Sequence, residues 1–256
     1  MSACLHGLYP GQVGILVGGP GVGKTWFLLS ILSDIVYSKN NSGFVNHTDK
    51  DTENIKIKMI SLREPRTMLC DRLNKLNGKN TFINNYYDNI LDIGCFNDSD
   101  TDTIITSITD IISKNDIVLV DDIESIHDMS IENILLLLNR FRFFSIKHKC
   151  SLLLTSTSLL YGELLDNTEM VSWVDSVQQV ANMVLAMNID IGKNVLAGPS
   201  RRVVTFMKNL HTKNLDEFYY RIDPGGLPRL IKSTVNMSEV KQTHPKILNM
   251  KKKYDI

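Results

Sequence analysis

The chain has 256 residues, 43% of them hydrophobic and 22% charged, with no net formal charge. That length suits one large α/β domain or two small ones, with apolar residues enough for a substantial core. No stretch approaches the roughly 18 uninterrupted apolar residues of a membrane span, and Met1-Ser2-Ala3-Cys4 has no basic region leading into an apolar one. The composition therefore predicts neither a membrane span nor export. Cys4, Cys70, Cys95 and Cys150 form no C-x-x-C pair, which predicts reduced, packing cysteines in a cytoplasmic protein. Charge is unevenly spread: residues 201–256 hold 12 Lys+Arg against 5 Asp+Glu, and residues 1–200 hold 16 against 23. A basic last quarter suits either a phosphate-bearing partner or a solubilising tail.

Taken in order, Val13 to Val17 after Pro10-Gly11 reads as a short buried strand, and Trp26 to Val36 as an apolar helix. Between them Gly18-Gly19-Pro20-Gly21-Val22-Gly23-Lys24-Thr25 fits G-x-x-x-x-G-K-[ST]. Strand, glycine loop and helix in that order is what a nucleoside-triphosphate site requires. Glycines let backbone N–H groups approach phosphate oxygens, and the helix N-terminus favours an anion. Lys24 can reach the β/γ-phosphates and the Thr25 hydroxyl can ligate Mg²⁺. The loop residues 18–25 and the adjoining Trp26 are the candidate binding residues for ATP and Mg²⁺.

Residues 40–54 are polar and read as a loop, followed by a strand over Lys56 to Leu62. A helix starting at Pro65 or Arg66 runs to about Asn77 and is closed by Gly78. Thr81 to Ile83 reads as a short extended piece, and Ile90 to Ile93 as a possible strand. Asp98 to Thr103 supplies helix caps, and Ile104, Ile105, Ile108, Ile111 and Ile112 mark one helical face. Ile117-Val118-Leu119-Val120 is a continuous β-branched run of the kind buried in a parallel sheet. Ser130 can cap a helix reaching Ile146, with Ile134, Leu135, Leu137, Leu138, Phe141 and Phe144 turned inward. Ser151 to Thr155 reads as another buried strand. Beyond Met183 the character changes to short strands at Val203–Met207, Glu217–Ile222 and Leu227–Ile231, and 232–256 reads as a basic tail. Strands alternating with helices predict an α/β fold with a mostly parallel central sheet, extended by antiparallel C-terminal strands.

Asp121 ends the 117–120 strand, where an open α/β sheet has its ligand crevice, and can hold Mg²⁺ directly or through water. Asp122 after it suits solvent or the cap of the next turn. Glu64 ends the second strand on the same edge and is the candidate to orient or activate water; a glutamate at a helix start is also favoured by the dipole alone. Thr155, Ser156 and Thr157 end the strand after Asp121, where a hydroxyl could sense a γ-phosphate or simply be satisfied within the loop.

The lead-in Gly7-Leu8-Tyr9-Pro10-Gly11, the glycine loop, the acidic residue after the second strand and the Val118-Leu119-Val120-Asp121 run together resemble RecA-type P-loop ATPases. Within them the chain looks most like RepA-type hexameric replicative helicases of the DnaB/KaiC-related branch. Arg72-Leu73, Ser176 to Asn182 and Lys208-Asn209 are further points of likeness. The resemblance covers residues 5–231. It implies a RecA-like fold with ATPase domain 1–231, self-association into a ring such as a hexamer, and ATP held with Mg²⁺ at subunit interfaces. It also implies single-stranded DNA in the channel and a basic finger from a neighbouring subunit, for which Arg201, Arg202, Lys208 and Arg221 are candidates.

The chain departs from that pattern in three ways. Counting back from Arg72, the family's catalytic glutamate falls on Arg63, with Glu64 one place late, which on a strand points a side chain to the other face unless the strand end bends. Thr155-Ser156-Thr157 replaces the usual histidine or glutamine after the sensor strand. The channel-side loops carry Asp122, Glu124 and Asp128, then Glu163, Asp166 and Glu169, which repel phosphates rather than attract them. A KaiC- or RadA-like regulatory ATPase acting on a protein, or an ATP-binding subunit with weakened hydrolysis, are accordingly the alternatives to a helicase.

Overall fold

A computed structural model describes residues 8–40, 56–77, 88–91, 101–126, 131–157, 177–190, 201–209, 217–222 and 228–231. Their strands are β1 (Val13–Gly18), β2 (Ile57–Ser61), β3 (Ile90–Leu91), β4 (Ile117–Asp121), β5 (Ser151–Ser156), β6 (Met183–Asp190), β7 (Arg201–Asn209), β8 (Glu217–Ile222) and β9 (Pro228–Ile231). The helices are α1 (Lys24–Asn40), α2 (Arg66–Asn77), α3 (Thr101–Lys114) and α4 (Ile131–His148). All strands join one sheet in the order β3-β2-β4-β5-β1-β6-β7-β8-β9. The six from β3 to β6 run parallel, and β6 to β9 continue antiparallel. This is the α/β arrangement that the alternating pattern predicts.

The centre of the sheet explains the sequence of β1. Every residue of Val13–Gly18 is buried because β5 and β6 flank it on both edges and helices cover both faces. Val13, Ile15 and Val17 point into one core with Ile104, Ile108, Ile112, Leu138 and Phe141 of α3 and α4. Leu16 points the other way, with Phe27, Leu28 and Ile31 of α1 and Leu69 and Leu73 of α2. Alternate strand residues thus feed opposite cores, as the period of two requires. At Gly14 a Cβ would lie only 3.1 Å from the Leu153 side chain, so the strand tolerates little more than hydrogen there.

Most expected elements lie within a few residues of their expected bounds, and α2 starts and ends as predicted. The main addition is β6, which pairs with β1 from Gly14–Met183 to Gly18–Met187. Asn182 fixes its start: the Asn182 side-chain oxygen accepts from the Val13 N–H at 3.0 Å, and its own N–H donates to the Val13 carbonyl at 2.8 Å. The expected extended piece at Thr81–Ile83, the Ser130 cap and the tail 232–256 lie outside the described residues.

Candidate active site

Strands β1, β2, β4 and β5 end on one edge of the sheet, and a cleft of about 280 Å³ opens there. It is lined by Pro20, Gly21, Gly23, Lys24, Thr25, Trp26, Arg63, Glu64, Arg72, Asp121, Asp122 and Thr157. The glycine loop, Glu64 and Asp121, spread across more than a hundred residues of sequence, therefore meet in one place.

The loop's backbone depends on glycine at three positions. Gly21 and Gly23 adopt φ of 71° and 102°, conformations a side chain would strain. At Gly18 a Cβ would sit 2.8 Å from the Met187 carbonyl oxygen of β6. The Lys24 ammonium turns back into the loop and donates to the carbonyls of Gly18 at 2.7 Å and Gly19 at 3.0 Å. Burial pulls its pKa below the ordinary lysine value; the carboxylates of Asp122, Glu124 and Asp121 oppose that fall, and Arg63 adds to it. A desolvated lysine beside a ring of backbone N–H groups regains favourable interactions when an anion arrives.

Thr25 and Asp121 meet directly: the threonine hydroxyl donates to Asp121 Oδ2 at 2.8 Å. Asp121 is only 2% exposed, and its other oxygen accepts from the Thr155 hydroxyl at 2.8 Å. Burial raises the Asp121 pKa; the hydroxyls of Thr155 and Thr25 hold it down, while Asp122 and Glu64 push it up. Of the two readings of the hydroxyls after β5, these bonds give Thr155 the satisfied one. Its oxygen also accepts from the Asp122 N–H at 2.8 Å, so it is committed to positioning the end of β4. Asp122 has a left-handed backbone, φ 63° and ψ 66°, and caps the short turn Ile123–Ser125, with the Ser125 hydroxyl donating to its Oδ2 at 2.9 Å. Ser156 and the Thr157 N–H both donate to Glu124 Oε1. A hydroxyl at the end of a buried strand was the only sequence signal for this support.

Glu64 faces the cleft despite its displaced position in sequence. β2 stops at Ser61, whose hydroxyl oxygen accepts from the Glu64 N–H at 3.0 Å and from the Arg63 N–H at 3.4 Å. That turn breaks strand alternation, so the one-residue offset does not send Glu64 to the opposite face. Arg72 on α2 donates to Glu64 Oε1 at 2.8 Å and lies 5.4 Å from the Trp26 ring centroid. Glu64 Oε2 is buried and accepts no hydrogen bond from the protein. Such an oxygen is well suited to a water. Arg63 also lines the cleft, with its guanidinium 3.7 Å from Asp122.

A hydroxyl beside a buried carboxylate, a folded-back lysine and glycine-dependent backbone fit a nucleoside triphosphate with Mg²⁺. A magnesium ion takes one or two protein oxygens and fills its other positions with water and phosphate. Among the described residues there is no group of three or more His, Cys, Asp or Glu able to hold a metal by itself, and this mode of binding needs none.

The four finger candidates lie on β7 and β8, away from the parallel half of the sheet. Register pairs Arg201 with Asp190 and with Arg221, and Arg202 with Ile189, two or three residues beyond the Gly18–Met187 pair. Those three therefore sit toward the glycine-loop edge of the sheet, whereas Lys208 pairs with Val184, level with Ile15. Of the channel-side acids, Asp128, Glu163, Asp166 and Glu169 lie outside the described residues. No helix among the described residues is long and apolar enough to cross a membrane.

No protein-family model matches the chain, and no curated protein sequence does. Among solved structures it is similar to the flagellar accessory protein FlaH from Methanocaldococcus jannaschii, with a TM-score of 0.58 at 12% identity over 88% of this chain and 92% of that one. At that identity the likeness concerns the fold. With six parallel strands, flanking helices and the glycine loop after β1, the chain has a RecA-like α/β fold.

Proposed function

We propose that this protein is a Mg²⁺-dependent ATP hydrolase whose reaction takes place in the cleft at the ends of β1, β2, β4 and β5. The observation that carries this reading is the 2.8 Å hydrogen bond between Thr25 and the buried Asp121. A burial that costs the ionised carboxylate so much solvation is explained by a cation that takes up its charge. In this reading Lys24 neutralises the β/γ-phosphates, Thr25 and Asp121 hold Mg²⁺, and Glu64, steadied by Arg72, orients the attacking water through Oε2. Mg²⁺, when bound, supplies charge neutralisation on the phosphate oxygens.

The finer reading is an oligomeric motor, a ring such as a hexamer, acting on single-stranded DNA as a plasmid- or phage-type replicative helicase. It rests on the resemblance to RepA-type helicases, with Arg201, Arg202, Lys208 or Arg221 completing the neighbour's site. A second reading, a KaiC- or RadA-like regulatory ATPase acting on a protein, is favoured by Asp122 and Glu124, which put negative charge on the turn after β4. Phosphate release from ATP, with and without Mg²⁺ and a single-stranded oligonucleotide, tests the whole reading. The expected result is Mg²⁺-dependent turnover, lost at least about 100-fold in Lys24→Ala and raised by the oligonucleotide. Turnover indifferent to DNA removes the helicase; a wild-type protein that releases no phosphate removes the hydrolase.

A further inference from the structure

Arg63 stands where the resemblance places a carboxylate, and the geometry gives that cation a use. It is 67% exposed, so its side chain has room to move, yet its guanidinium is held 3.7 Å from the largely buried Asp122 carboxylate. Asp122 is fixed from other directions: its backbone is left-handed, and its two oxygens accept from the hydroxyls of Ser125 at 2.9 Å and Thr157 at 3.4 Å. The contact is thus between a rigid acceptor and a movable donor, at a separation longer than a hydrogen bond. Arg63 lines the same cleft as Lys24. Arg72, the third cation lining it, is committed to Glu64.

We propose that Arg63 is a phosphate-binding residue supplied in cis, which leaves Asp122 to contact the terminal phosphate of a bound nucleoside triphosphate. This inference rests on the nucleotide reading above and deepens it, since it assigns recognition of the third phosphate to this chain's own arginine. A planar guanidinium suits the paired oxygens of a phosphate better than a single carboxylate oxygen at 3.7 Å. The switch also gives nucleotide state a direct handle on the turn after β4, because Asp122 loses its ion pair only when the third phosphate is present.

The test measures ATP and ADP affinity, with Mg²⁺, for the wild type, Arg63→Ala, Arg63→Lys and Asp122→Asn. Asparagine tolerates the left-handed backbone at position 122, so that variant removes the competing charge without straining the turn. Arg63→Ala should weaken ATP binding about tenfold or more while leaving ADP affinity within about twofold. Arg63→Lys should recover part of the loss, and Asp122→Asn should tighten ATP relative to ADP. If the wild type binds ATP but Arg63→Ala keeps its ATP-to-ADP ratio, the assignment of Arg63 is wrong and the nucleotide reading stands. If the wild type binds neither nucleotide, both are wrong.

Discussion

Asp121 pays for its position in solvation, and that makes its role separable from its structural effect. Its folded pKa is raised by burial above the unfolded value of about 3.9. The ionised form therefore weakens the fold at neutral pH, and the penalty is lifted as pH falls through the raised value. Asp121→Asn should leave the nucleotide-free protein as stable as the wild type or more so at pH 7, while Mg²⁺-dependent turnover drops at least about 100-fold; thermal unfolding alongside a phosphate assay separates the two. Lys24 has the opposite sign. Its lowered pKa means that its charge is lost at a lower pH than in an ordinary lysine, and a bound polyphosphate restores it. ATP affinity should accordingly fall on the alkaline side, beginning below about pH 10, with proton uptake on binding measurable by calorimetry in buffers of differing ionisation enthalpy.

At the scale of the element, the ends of strands matter more than their middles. The hydroxyls of Ser61 and Thr155 each bond two groups at a strand terminus and so fix Glu64 and Asp121 relative to the glycine loop. Ser61→Ala removes the acceptor that bends β2 toward the cleft. It should destabilise the protein by about 1 kcal/mol and lower kcat more than it raises KM, because Glu64 loses its aim while the binding loop is untouched. Gly18→Ala tests the neighbouring packing: its Cβ would press on the Met187 carbonyl, at a cost of about 1–3 kcal/mol in denaturant unfolding.

These elements also mark what could be read beforehand. β1, the glycine loop, α1 and β4 with Asp121 were legible because burial on both faces writes itself as an apolar run, and the loop as glycines. β6 was not. Met183-Val184-Leu185-Ala186-Met187 mixes helix-favouring Met, Leu and Ala with no period of its own, and its strand conformation comes from pairing with β1 and β7. Thr155 was placed at the correct strand end, but its partner lies 34 residues away in sequence, and nothing local names it. The one-residue offset of Glu64 looked like a change of face because strand alternation was extended through a turn that Ser61 breaks.

For the whole molecule, the sheet divides into a parallel half that builds the cleft and an antiparallel half that carries Arg201, Arg202 and Arg221 toward the same edge. Those arginines lie beyond β6 rather than at the cleft's centre. If the protein forms a ring, light scattering after size exclusion should register a larger species with ATP and Mg²⁺ than without. A mass unchanged by nucleotide speaks for a monomeric ATPase.

If the cleft hydrolyses ATP with Glu64 orienting water, Glu64→Gln should separate nucleotide binding from turnover. Glutamine keeps the size and an oxygen acceptor, but loses the charge that Arg72 and a reacting water engage. The measurement is ATP affinity and phosphate release in parallel on wild type and Glu64→Gln, with Mg²⁺. Affinity should stay within about threefold of wild type while turnover falls at least about 100-fold. Wild-type turnover in Glu64→Gln would contradict that role for Glu64.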